Sequence, residues 1–227
     1  MWRATRSWSS SKTRSLCLAA VVVLAGCGGG WQPTFVSKGS GENQVWILRA
    51  KGKPRAVVVF LHGLGSNSGE QLEPWQAHLG AEGYDVIYPR YEQPPPNMDA
   101  RDTIVEATRR ALVDLGRPKV PLILLGHSRG GRLAVEAAVY LHPRLVLAFY
   151  PGRINPAFEP PTDFRRLAKS TQIWLFAGDR DTNVGIDGVL ELDERFLQAR
   201  VPAEQVHNAL IRSRGFVAPP EARRCRR

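Results

Sequence analysis

Histidine is scarce in this chain and absent beyond residue 207: His62, His78, His127 and His142 come early, and only His207 lies in the last third. Chemistry that needs an imidazole from the end of the chain therefore has one candidate. Cysteine is rarer, with Cys17, Cys27 and Cys225 alone, so the core must hold by packing rather than by a disulfide framework. No group of histidines, cysteines and carboxylates has the spacing of metal ligands, and neither a metal nor an organic cofactor is implied. The longest apolar run, residues 16–25, is too short to span a bilayer. There is no internal repeat. A length of 227 residues suits one α/β domain, large enough to bury a substantial core.

The net charge of +10 suggests a nucleic-acid or membrane binder until it is located. Arg3, Arg6, Lys12 and Arg14 precede the apolar run, and residues 212–227 hold six arginines against Glu221 alone. The intervening body is close to neutral, which argues against nucleic acid as a partner. A basic start followed by a short apolar run reads as an export signal. Its end, Leu24-Ala25-Gly26-Cys27, resembles the lipobox of bacterial lipoproteins. That resemblance implies a signal over residues 1–26, a lipidated Cys27, and a chain held on the periplasmic or outer face of a bacterial membrane. Residues 27–43, rich in glycine and serine, are expected to form a flexible tether. The basic residues 212–227 form a tail that is either solvated or near lipid headgroups.

Between tether and tail, apolar runs alternate with helical periodicity. Residues 45–48, 56–61, 84–88, 120–125, 145–150, 172–177 and 205–211 read as strands, several of them apolar enough for burial on both faces. Helices are expected over residues 68–82, from Asp99 or Asp102 to Leu115, over 130–141 and over 187–200, with a short one near 164–169. This alternation over residues 44–211 implies a three-layer α/β/α sandwich around a mainly parallel sheet, with function at the carboxyl ends of the strands.

At one such end stands Gly126-His127-Ser128-Arg129-Gly130. A G-x-S-x-G sequence between a strand and a helix forms a sharp elbow that presents the serine hydroxyl, with glycine needed two residues to either side. A serine nucleophile also requires a base and hydrogen-bond donors for the oxyanion. His62-Gly63-Leu64-Gly65 directly follows the strand over residues 56–61, and the backbone N–H groups of Leu64 and Arg129 are the natural oxyanion pair.

With these motifs the chain resembles an α/β-hydrolase of the serine esterase type over about residues 45–211. The resemblance implies a triad in the order serine, acid, histidine. Gly178-Asp179-Arg180-Asp181-Thr182-Asn183-Val184 matches the acid loop, with Asp181 as the acid and Asp179 as its alternative. It also implies that His62 braces its loop rather than moving protons, and that His127 fills a variable position. By order, only His207 can be the base, yet it falls at the start of the last strand instead of in the loop beyond it. The usual C-terminal helix and a lid are missing from the pattern. Three readings stay open: His207 acts as the base, the base has been lost, or the fold serves binding alone. Trp75, Tyr91, Phe149, Tyr150 and Phe158 either line a pocket or pack in the core and loops. The expected reaction is hydrolysis of a small-molecule carboxylic ester through an acyl-enzyme on Ser128.

Overall fold

The structure, a computed structural model, describes residues 32–41, 44–65, 73–92, 99–153, 160–178, 180–182 and 184–211. The expected signal, Cys27, the start of the helix expected from residue 68, Phe158, Asp179 and the basic tail lie outside the described residues. The sheet-bearing unit begins at Pro33.

Eight strands form one sheet: β1 (Phe35–Lys38), β2 (Val45–Leu48), β3 (Ala56–Leu61), β4 (Tyr84–Pro89), β5 (Leu122–His127), β6 (Leu145–Phe149), β7 (Gln172–Gly178) and β8 (Val206–Ile211), in the spatial order β1-β2-β4-β3-β5-β6-β7-β8. The pairings β1–β2 and β2–β4 are antiparallel and the rest are parallel. Four helices, α1 (Glu73–Ala81), α2 (Ala100–Asp114), α3 (Arg129–Leu141) and α4 (Asp187–Gln198), fill the connections. This is the three-layer α/β/α arrangement of an α/β-hydrolase fold.

The strands are legible in the chain because burial follows apolar content. All six residues of β3 are buried, as a central strand covered on both faces requires. Alternate residues Val57, Val59, Leu61, Ile87, Leu124, Val146, Ala148, Ile173 and Leu175 face one core, which α2, α3 and α4 complete with Ile104, Leu133, Ala137, Leu192 and Phe196. Helix α1 packs on β2 and β4. Asp99 caps α2, its carboxylate accepting the N–H of Asp102 at 2.8 Å, and Gly116 closes that helix at φ 79°.

Two differences from expectation bear on the sheet. Residues 35–38, expected within the tether, form the edge strand β1, paired in register from Phe35 with Leu48 to Lys38 with Val45. Their own sequence carries no apolar alternation, since only Phe35 is half-buried and the other three side chains are exposed; β2 supplies the pairing. The strand expected over residues 120–125 is shifted to Leu122–His127. Pro121 has no N–H to give the ladder, although its carbonyl accepts the Val57 N–H at 2.9 Å, and pairing continues up to His127 opposite Phe149. The shift carries the strand to the elbow itself.

Candidate active site

Ser128 sits between the last residue of β5 and the first of α3, at φ 55° and ψ −124°. A non-glycine residue at such a positive φ is strained, and neighbours must over-determine it. They do: the Ser128 N–H donates to the Phe149 carbonyl at 2.9 Å, and the Ser128 carbonyl accepts from Gly152 at 3.0 Å and Arg132 at 3.2 Å. The turn closes only because its flanks lack side chains. A Cβ on Gly126 would strike the Gly130 carbonyl, and one on Gly130 would strike the carbonyls of Leu61 and His62. The elbow is therefore packed directly against the end of β3.

That contact brings the second loop to the serine. A Cβ on Gly63 would stand 3.4 Å from Ser128 Cβ, and Leu64 follows in an exposed turn closed by Gly65 at φ 82°. Arg129 is the first residue of α3, where N–H groups have no intrahelical acceptor and the helix dipole is positive. The turn after β3 and the start of α3 thus both lie beside Ser128.

His62 is a brace, fully buried, with its ring stacked on Tyr91 at 4.1 Å between centroids and near Tyr88 at 5.5 Å. Its Nδ1 lies 2.7 Å from the Gly63 carbonyl, which can only accept, so Nδ1 carries the proton. Burial is the main cause that lowers its pKa to about 4, with the Arg129 charge adding to the effect against the Gly63 bond. The ring is neutral at pH 7. The Tyr91 hydroxyl donates to the His62 carbonyl at 2.5 Å, and burial foremost pushes that phenol well above its usual pKa, which keeps it a donor. Glu92, given no role by the sequence, lies with one oxygen 3.3 Å from His62 Nδ1 and the other 3.4 Å from Arg129 Nη1. Its only signal was position, at the carboxyl end of a buried strand.

Asp181 follows β7 and accepts the Val184 N–H at 2.9 Å, a local turn that fixes the carboxylate. Tyr150 bridges part of the distance from Asp181 to the elbow. Its ring edge lies 2.9 Å from where a Gly178 Cβ would stand, and the ring is edge-on to His127 at 5.9 Å. Among the other aromatic candidates, Tyr91 is buried beneath the loop, Phe149 stacks on Phe176 at 4.6 Å, and Trp75 is exposed on α1.

His207 is not brought to Ser128. In the sheet register the level of His127 passes through Phe149 and Phe176 to Ala209, so His207 lies two residues below that level and three strands away. At about 4.8 Å between strands the lateral offset alone is about 14 Å. Its imidazole instead stacks on Trp174 at 4.6 Å and places Nε2 2.9 Å from Gln172 Oε1. Strand pairing fixes it there, and as placed it cannot take a proton from Ser128. Among the described residues no hydrogen bond joins an imidazole to the Ser128 hydroxyl. Ile211 pairs with Gly178, and the residues after it, none of them histidine, lie outside the described residues.

Comparison with known proteins agrees with this geometry. Residues 58–226 match the alpha/beta hydrolase family, and the chain belongs to that family. Similar solved structures include an alpha/beta hydrolase enzyme from a Medee basin deep-sea metagenome library, with a TM-score of 0.61 and 18% identity over 80% of this chain and 82% of that one. A highly thermostable carboxyl esterase from Bacillus coagulans gives 0.58 and 15%, over 81% and 91%. A serine hydrolase without a lid from Xanthomonas campestris gives 0.54 and 17%, over 80% and 84%. Among curated proteins, a proline iminopeptidase of Flavobacterium johnsoniae is 29% identical over 106 residues, 44% of this chain and 36% of that relative's length. The family match covers most of the chain, and these solved structures share its fold.

Proposed function

We propose that the chain is a serine hydrolase acting on small carboxylic esters, with Ser128 as nucleophile. The observation that carries this is the strained, glycine-flanked Ser128 packed against the oxyanion loop at Gly63. In the proposed reaction Ser128 Oγ attacks the ester carbonyl and loses its proton to a base. The N–H groups of Leu64 and Arg129 stabilise the oxyanion, the alcohol leaves with a proton, and water cleaves the acyl-enzyme to acid and free serine. Asp181 is the acid of this reading, and His207 is the one histidine that follows it in the chain. Ester turnover by the purified protein, lost by a factor of about 10³ or more in Ser128→Ala, tests the assignment; equal turnover by the variant contradicts it.

One observation favours a second reading, a binding protein or impaired hydrolase on the same fold: His207, the sole candidate for the base by order, is held by Gln172 and Trp174. A hydrolase without its imidazole retains only weak catalysis from oxyanion donors and binding. Tight binding of an ester without turnover by folded protein would select this reading.

Export and lipid anchoring at Cys27 belong to the same proposal, supported by the basic start, the short apolar run and Leu24-Ala25-Gly26-Cys27. Metabolic labelling with an alkynyl fatty acid tests them. Incorporation lost in Cys27→Ser is the expected result, and incorporation that persists contradicts it.

A further inference from the structure

Two loops must meet for an oxyanion to be held, and they come from distant parts of the chain: the turn after β3 carries Leu64 and the start of α3 carries Arg129. Backbone packing at Gly130 sets their approach, but it does not fix the exposed Leu64 turn. A side-chain link spans them. Glu92, with a side chain 13% exposed, faces His62 Nδ1 with Oε1 and the Arg129 guanidinium with Oε2, at 3.3 Å and 3.4 Å. Next to it Tyr91 is stacked under His62, bonded to the His62 carbonyl, with the Arg129 guanidinium 6.0 Å from its ring.

We infer that Glu92 is a positioning residue whose carboxylate holds Arg129 beside the His62 loop and so keeps the two oxyanion-bearing loops in register. This rests on the reading of Ser128 as nucleophile. The carboxylate accepts from the guanidinium through Oε2, while Oε1 lies beside His62 Nδ1, whose proton goes to the Gly63 carbonyl. With Glu92 gone, the Arg129 cation would face a neutral ring, and the His62 loop would keep its stacking, the Gly63 and Tyr91 bonds and the packing at Gly130, none of which engages the Arg129 side chain by a hydrogen bond. A misplacement of donors on the ångström scale weakens transition-state binding while leaving ground-state affinity nearly untouched.

Two measurements on the full chain test this. Backbone 15N relaxation reads loop order directly and needs no catalysis. In Glu92→Gln, order parameters at Gly63 and Leu64 should fall while those of β5 and β6 stay at wild-type values, and Glu92→Asp should recover part of the loss. In ester turnover the same variant should lose about ten- to a hundred-fold in kcat with KM within about two-fold. If Glu92→Gln does not fold, Arg129→Met carries the test, because it keeps the N–H and removes the guanidinium; the same drop in loop order is expected. Unchanged order parameters in a folded variant, or a loss confined to KM, would overturn the role of Glu92. Wild-type turnover by Ser128→Ala would instead sink the nucleophile while leaving the relaxation result to stand.

Discussion

The two ends of the sheet are built differently. Where β3, β4 and β5 end, Ser128, Gly63, His62, Tyr91, Glu92 and Arg129 are locked by backbone contacts, ring stacking and hydrogen bonds, with His62 and Tyr91 fully buried. At the β7–β8 edge, Trp174 and Ile211 are 38% and 37% exposed, and the His207 side chain meets a neighbouring ring and an amide. In the proposed reaction oxyanion stabilisation depends on preorganised donors, and the rigid end would supply them.

Equal substitutions at the two ends should separate them sharply. Gly130→Ala forces a methyl group into the carbonyls of Leu61 and His62; we expect a loss of about 3 kcal/mol in denaturant unfolding and collapse of serine reactivity. A stable, reactive Gly130→Ala would show that the elbow tolerates rearrangement and remove the contrast.

The rigid end should also respond to acid. His62 titrates at about 4 when folded and near 6.5 when unfolded, so between those values the unfolded chain binds the extra proton. The resulting stability is fully present above pH 6.5 and lost as pH falls toward 4, by about 3 kcal/mol in all. Unfolding curves from pH 7 to 4 for the protein and for His62→Asn check this: the variant should lose that part of the slope. Parallel slopes would mean that His62 is not the buried neutral group described.

The smallest effect belongs to the other end. His207→Ala should cost about 1 kcal/mol through its lost ring stacking and leave ester turnover within about two-fold. A large drop in kcat with stability intact would restore His207 to the reaction and require β8 to shift.

The same contrast explains what the sequence made legible. The elbow and the turn after β3 were readable because sharp turns demand glycine at fixed spacing, and Gly126, Gly130 and Gly63 each lie against backbone or the serine itself. Central strands were readable from continuous apolar content. Strand β1 was not, because its partner lies in β2 and its side chains bury almost nothing. Glu92 was hidden because its partners, His62 and Arg129, are 30 and 37 residues distant and meet it only after β3, β4 and β5 align. His207 was selected by chain order, and order says nothing about the register that places it beside Trp174.

The central claim is that Ser128 is a reactive hydroxyl in a preorganised oxyanion cradle, and fluorophosphonate labelling with mass-spectrometric mapping tests it most directly. The account expects one phosphonylated residue, Ser128, with the adduct absent in Ser128→Ala. Folded protein that takes up no label, or takes it up elsewhere, would contradict it.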